Sequence, residues 1–340
     1  MNRAPAAVAT FGRLVELDAK TGHGILRFCD NIVAVVDDRY AGRRLTDLLP
    51  YAGRNLPIVP TVAEAYQIGA RELVIGAAPP GGEATSHMVS VIADAAKRDM
   101  WIVSGLHTRL TEHPELTGSA HRIVELRHRQ VPELVATGAA AKLETTVLLT
   151  VGSDCAAGKM TTALELWRGL RTRGAAASFV ATGQTAMYIA GDGAAVDAVK
   201  SDFAAGVTES MVLEAARGGA RYILVEGQGS ILHPAYSGVS LALLHGAAPN
   251  LLVFCHDLER SRMAYFDRRI ADVADEIDLL ERLSSHQRRA VVVGVVAMAG
   301  GMTPDQAARR RADLAARLGR PVVMPAPSGY EELVDLIAEF

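Results

Sequence analysis

The residues best placed to do chemistry in this chain are a glycine loop and several polar side chains that follow apolar runs. Residues 147–151, Val-Leu-Leu-Thr-Val, lead into Gly152-Ser153-Asp154-Cys155-Ala156-Ala157-Gly158-Lys159, and residues 160–172 read as a helix. Strand, glycine loop and helix in that order let backbone N–H groups and a helix N-terminus surround phosphate oxygens. Glycine permits the sharp turn and the close approach, and a lysine brings a mobile charge to the outer oxygens. Gly152, Ser153, Asp154, Cys155, Ala157, Gly158, Lys159, Met160 and Thr161 are therefore the expected cofactor-binding residues. A plain strand–turn–helix corner with a solvated lysine is the alternative. Five residues separate the two glycines where four are usual, and Met160 stands where a Ser or Thr hydroxyl normally holds magnesium, although Thr161 and Thr162 follow. The loop is better suited to gripping a phosphate than to cleaving one.

A second group lies further on. Residues 222–225 form an apolar run ending in Glu226-Gly227-Gln228-Gly229-Ser230, the form of an acid that approaches a phosphate site from a neighbouring strand. A desolvated carboxylate there can have a raised pKa and serve as a general base; it can equally cap backbone N–H groups. His233, next to Pro234, is the natural neutral-pH base of the following segment. Asp202, after a glycine-rich stretch, can take a proton or orient an amine, or cap a helix. Glu226, His233 and Asp202 are thus the catalytic candidates. Thr182, Gln184, Gln228, Ser230 and Tyr236 occupy the same kind of segment and are the expected substrate contacts. Arg262, Arg268 and Arg269 could bind a carboxylate through paired N–H donors, though arginines on a solvated surface look the same.

The elements that must position these groups alternate between strand and helix. Strands are expected at 33–36, 73–75 and 101–103, with a helix from Thr61, whose side chain is placed to cap it with Glu64 three residues on, and another over 86–98. Residues 108–143 are polar, then alanine-rich, and read as a lid or connector. The alternation restarts with 147–151 and continues through strands at 177–182, 222–225, 251–255, 291–296 and 321–324. Helices fall at 208–217 and 330–338. The pattern predicts an α/β protein with two doubly wound parallel-sheet domains, a Rossmann-like domain over 1–140 and a phosphate-loop domain over 141–340. Ligands of such sheets bind at the carboxyl ends of strands, which puts Asp37, the loop at 76–82, and Ser104 to His107 on one rim of the first domain.

Composition sets the remaining bounds. At 340 residues with 49% apolar and 21% charged residues, the chain has the make-up of a globular protein of two ordinary domains. A net charge of −3 gives no footing for nucleic acid or an anionic membrane, and the basic clusters at 121–129 and 309–311 read as solvated helix faces. Cys29, Cys155 and Cys255 form an odd set without metal-ligand spacing, so no metal is expected and a reducing cytoplasm suits the chain. Cys155 lies where a helix N-terminus could lower a thiol pKa, but a small side chain lining the loop accounts for it as well. No stretch reads as a signal peptide or a membrane span.

The loop spacing together with Glu226-Gly227-Gln228-Gly229 resembles the dethiobiotin synthetase-like branch of phosphate-loop proteins, with Met160 as a departure. A wider resemblance runs through nearly the whole chain. Asp37-Asp38, the glycine/proline loop at 76–82, the loop at 152–162, Thr182-Gly183-Gln184-Thr185, Ser201-Asp202-Phe203 and the segment 226–234 stand in the order of the bacterial and archaeal family that includes the DgcN-type D-glutamate N-acetyltransferases. That resemblance implies a Rossmann-like domain followed by a phosphate-loop domain. It also implies acetyl transfer from acetyl-CoA to D-glutamate, a small acidic D-amino acid, and a homo-oligomer. Other readings are an Mg-ATP-dependent kinase or ligase of the dethiobiotin synthetase type, and a non-catalytic nucleotide-binding protein.

Overall fold

The computed structural model describes residues 4–77, 79 and 81–340; within the loop at 76–82, Ala78 and Pro80 lie outside the described residues. The strands are β1 (Ala6–Ala9), β2 (Ile32–Val36), β3 (Ile58–Val59), β4 (Glu72–Ile75), β5 (Trp101–Ser104) and β6 (Ile123–Glu125). A second set comprises β7 (Thr146–Gly152), β8 (Ala177–Val180), β9 (Tyr222–Val225), β10 (Leu251–Asp257), β11 (Val291–Met298) and β12 (Val322–Val323). The helices of the first half are α1 (Lys20–Phe28), α2 (Leu45–Leu48), α3 (Val62–Ile68) and α4 (Ser86–Lys97). Then come α5 (Lys159–Thr172), α6 (Gln184–Ala190), α7 (Ser201–Arg217) and α8 (Ser237–Ala247). The last are α9 (Val273–Ser284), α10 (Pro304–Leu318) and α11 (Pro327–Ala338).

Two six-stranded sheets result, ordered β3-β2-β1-β4-β5-β6 and β12-β11-β10-β7-β9-β8. Every strand pair is parallel. This is the α/β architecture expected from the alternation, because parallel neighbours need helical crossovers on the sheet faces. The strands are accordingly near-continuous apolar runs: β1 and β9 are buried along their whole length. Helix starts follow their capping chemistry. Thr61 Oγ1 accepts the N–H of Glu64 at the head of α3, Thr85 accepts from Met88 at α4, and Thr303 with Gln306 forms a capping box at α10.

Several elements depart from the sequence expectation. β1 is Ala-Ala-Val-Ala, without the branched residues that mark a strand, and is defined by pairing with β2 and β4 on both sides. The stretch at 108–143 holds β6 and pairs with β5. Its later part is pinned to α7: Glu209 accepts the N–H groups of Thr137 (2.7 Å) and Ala140 (3.3 Å), and a Cβ on Gly206 would lie 1.8 Å from the carbonyl oxygen of Leu134. α7 begins at Ser201, seven residues before the expected start at 208.

The chain divides into two compact units, residues 1–130 with 184–195, and residues 131–183 with 196–340. The sequence reading drew one boundary near residue 140; the packing joins α6 to the first unit, where the Tyr188 hydroxyl donates to Glu72 (2.6 Å) and Arg127 donates to Gln184 (3.5 Å).

Candidate active site

β7 is the third strand in from one edge of the second sheet, flanked by β10 and β9. Its last residue, Gly152, has its α-carbon against β10: a Cβ there would stand 2.4 Å from the carbonyl oxygen of Cys255. The chain then turns through Ser153 to Ala157 with Ala156 at φ +53° and Gly158 at φ +92°. Left-handed residues in such a turn line up successive N–H groups into an anion-binding concavity. α5 follows from Gly158, an N-cap that supplies no side-chain hydrogen bond to the first turn.

Lys159 is buried and its ammonium donates to the backbone carbonyl of Asp154 at 2.6 Å. Burial holds its pKa below the ordinary lysine value, while the acidic groups around it, Cys155, Cys255, Asp154 and Glu276, pull the other way. Asp154 is fully buried. Its Oδ1 accepts the N–H of Cys155 (2.7 Å) and its Oδ2 accepts from Arg260 (3.0 Å) and from the N–H of Ala264 (2.6 Å). Ser153 is hydrogen-bonded through Oγ to His256 Nδ1 at 2.8 Å. Met160 and Thr161, at the start of α5, are half-buried, and Thr162 is buried and accepts from the Cys255 thiol at 3.5 Å.

Glu226 follows β9 beside this loop. The next residue, Gly227, donates its N–H to Thr150 Oγ1 on β7 (2.9 Å), and a Cβ there would overlap the Thr150 carbonyl at 1.5 Å. Glu226 Oε2 accepts the N–H groups of Thr182 and Gly183, both at 2.9 Å, and the Thr182 hydroxyl donates to the Glu226 carbonyl. Burial outweighs those bonds and lifts the carboxyl to about 7. Gln228 donates to the Thr182 carbonyl at 2.5 Å. Among the expected substrate contacts, Thr182, Gln228 and Ser230 therefore belong to this strand-end cluster. Tyr236 is 43% exposed and stacks on His233. Gln184 stands in the first compact unit.

His233 is buried between Tyr236 (stacked, 4.6 Å) and Phe266 (edge-on, 4.8 Å). Its Nδ1 accepts the N–H of Ala235 at 3.1 Å. A neutral imidazole that accepts at Nδ1 carries its proton on Nε2, so the ring presents a donor, 3.8 Å from Asp154 Oδ1 and without a hydrogen-bond partner among the described residues. Burial keeps its pKa below the usual histidine value, and the Lys159 and Arg268 charges add to that against the opposing pull of Asp154. Asp154, Cys155 and His233 each bring one side-chain donor atom within 4.8 Å of the others. Asp202 is exposed on the first turn of α7. Arg262, Arg268 and Arg269 are exposed too, with Arg262 paired to Asp267.

Arg260, Glu276 and the His256 that meets Ser153 are not among the residues the sequence singles out. Arg260 reaches the loop from the segment after β10, and nothing in its local pattern marks it out. Glu276 sits at a core-facing position of α9, buried, with Oε1 accepting from Ser230 (2.7 Å) and Oε2 without a partner among the described residues. Burial raises its carboxyl to about 7. The signal for it was readable: Val273, Glu276, Ile277 and Leu280 share one apolar stripe, and an acid there is out of place.

A parallel sheet whose central strand runs through a glycine loop into a lysine-headed, uncapped helix, with an acid following the adjacent strand, defines a P-loop α/β protein. The family model described as "Domain of unknown function (DUF1611_C) P-loop domain" matches residues 134–334, and the one described as "Domain of unknown function (DUF1611_N) Rossmann-like domain" matches 38–129. The chain belongs to the DUF1611 family. It is 34% identical over 280 residues to a protein of Pseudoalteromonas sp. named D-glutamate N-acetyltransferase, covering 81% of this chain and 83% of that one. It is likewise 34% identical over 297 residues to a protein of the same name from Tritonibacter scottomollicae, covering 85% and 88%. The crystal structure of a DUF1611 family protein from Anabaena variabilis superposes with a TM-score of 0.93 at 33% identity, covering 99% of this chain and all of that one. Among the described residues, no helix is long and apolar enough to cross a membrane.

Proposed function

We propose that this protein transfers an acetyl group from acetyl-CoA to the amine of D-glutamate. The observation that carries the reading is the 34% identity, across most of the chain, to two proteins named for that activity. The loop supports the donor: it has the lysine and the uncapped helix start of a phosphate seat, while Met160 has no hydroxyl to place a metal for phosphate cleavage. Coenzyme A carries a pyrophosphate and a ribose phosphate, so a grip without cleavage is the task such a loop can perform.

Glu226 is the proposed base. A carboxyl at about 7 is poised to take a proton near neutral pH, and the bonds from Thr182 and Gly183 go to Oε2, leaving Oε1 outside them. The amine nitrogen attacks the thioester carbonyl, the carbon–sulfur bond breaks, the coenzyme thiolate leaves, and the amine proton passes to Glu226. His233, holding its proton on Nε2, serves as a donor to the carbonyl oxygen as negative charge develops there. It is not the base, because its free nitrogen already carries hydrogen. Both groups stand close to the loop, so the pantetheine arm must fold back toward the phosphates it hangs from.

Thiol release from acetyl-CoA, followed over a panel of D- and L-amino acids, tests the reading. D-glutamate is expected to give the highest rate. Tight binding of Mg-ATP with no binding of acetyl-CoA, read by calorimetry, would replace it with the kinase or ligase reading.

A further inference from the structure

Arg260 lies outside every motif of the sequence, yet its guanidinium makes three bonds to the glycine loop. Its Nη1 donates to Asp154 Oδ2 (3.0 Å) and to the carbonyl of Cys155 (3.0 Å), its Nη2 donates to the carbonyl of Ala156 (3.1 Å), and its Nε donates to Asp257 Oδ2 (2.9 Å). The planar fork of a guanidinium is what lets one side chain meet four acceptors in fixed directions; an ammonium cannot.

The consequence follows from peptide geometry. A trans peptide unit is planar, with its carbonyl and the following N–H pointing opposite ways. Turning the carbonyls of Cys155 and Ala156 toward Arg260 therefore turns the N–H groups of Ala156 and Ala157 away from it. Neither N–H is bonded to another backbone group among the described residues, and Ala157 is fully buried. Left alone, the loop would have reason to relax, because Ala156 holds φ at +53°, a conformation that costs an L-residue about 1–2 kcal/mol. Arg260 grips the carbonyl of that same residue. The guanidinium is itself anchored at Asp257, the last residue of β10, and at Asp154, whose Oδ2 takes a further bond from Ala264.

We propose that Arg260 is the positioning residue of the phosphate cradle: it sets the loop amides for a phosphorylated ligand without contacting that ligand. The proposal rests on reading the loop as a phosphate seat. Its cation is neutralised by Asp154 and Asp257, so its contribution is orientation of backbone donors, not long-range attraction.

The test compares two acetyl donors, acetyl-CoA and acetylpantetheine, which share the thioester but differ in phosphate. In Arg260→Ala the KM for acetyl-CoA is expected to rise ten-fold or more, as for lost hydrogen bonds to a charged group, with kcat within about three-fold and acetylpantetheine kinetics unchanged. Arg260→Lys is expected to behave like the alanine variant, and millimolar guanidinium to restore Arg260→Ala in part. Equal losses with both donors would show a general structural role and overturn the proposal. So would an Arg260→Lys enzyme indistinguishable from wild type, since charge alone would then suffice. Should Arg260→Ala fail to fold, Asp257→Asn removes one anchor and must show the same donor-selective rise at smaller size, or the proposal falls. If the wild-type protein does not use acetyl-CoA, the functional reading fails separately. Calorimetry with inorganic pyrophosphate then decides Arg260: a ten-fold weaker affinity in Arg260→Ala supports the positioning role, and equal affinity overturns it.

Discussion

The two sheets are built on the same plan, but the polar groups at their strand ends are in opposite conditions. In the first unit, Asp37 at the end of β2 is buried and bonded at both oxygens: Oδ2 accepts from the Thr10 hydroxyl (2.5 Å), and Oδ1 accepts the N–H groups of Arg39 and Tyr40. Most of its acceptor capacity is used locally, which leaves little for a ligand. Gly22 and Gly76 close the neighbouring crevice, since Gly22 donates to the Gly76 carbonyl at 2.7 Å and a Cβ on Gly76 would stand 2.4 Å from Val8. In the second unit the corresponding rim carries unspent capacity: among the described residues His233 Nε2 and Glu276 Oε2 have no hydrogen-bond partner, α5 has no side-chain N-cap bond, and two buried carboxyls are lifted to about 7. Buried polar groups without partners are costly, so their concentration on one rim marks where ligand chemistry is expected.

That contrast can be broken by experiment. The largest effect is expected from Glu226→Gln, which keeps an acceptor for Thr182 and Gly183 but removes the base. Turnover should fall by about 100-fold or more, the usual weight of general base catalysis, with the melting temperature nearly unchanged. A smaller effect, read in the pH dependence of stability, is expected at Glu276. Its carboxyl is raised in the folded state, so the folded protein binds the proton more tightly than the unfolded chain. Stability then falls as pH rises from the ordinary glutamate range to about 7, by at most about 3 kcal/mol at the usual conversion. Urea unfolding at pH 5, 6, 7 and 8 should show the stability of wild type relative to Glu276→Gln falling as pH rises. Asp37→Asn in the first unit should cost about 1–2 kcal/mol of stability through its lost acceptor and leave kcat/KM untouched. A drop in activity there would mean that the first rim takes part after all. The smallest effect belongs to Ala156→Gly, which relieves the left-handed strain: about 1 kcal/mol or less of added stability, with weaker coenzyme A binding from a looser loop.

How much of this was legible depended on how local its cause is. The strands at 147–151 and 222–225 declare themselves because they are buried on both faces and read as unbroken apolar runs. β1 does not, because four small residues become a strand only through neighbours far along the chain. The glycine loop was readable down to Met160, since its chemistry is its own sequence. Arg262, Arg268 and Arg269 drew attention for the fork chemistry that Arg260 performs; which arginine does it is settled by the turn of residues 258–264, a tertiary outcome. His233 was legible as a residue, but the N–H of Ala235 that engages its Nδ1 and so sets its tautomer is something no spacing rule reveals.

The placement of α6 bears on how the protein is made. Tyr188 is part of the core beneath β1 and β2, yet it is encoded after the whole glycine loop and its helix. A ribosome releases the chain from its N-terminus, so the first unit cannot complete its interior until residue 195 has emerged, by which point β7, α5 and β8 are already outside. The earlier half must wait, incomplete, for a piece delivered by the later one. A gene truncation that ends near residue 130 would therefore leave the first unit without residues 184–195, and one that begins near 140 would leave the second without 131–139. Soluble expression of the first unit calls for residues 184–195 to be supplied as well, joined by a linker or added as a second chain.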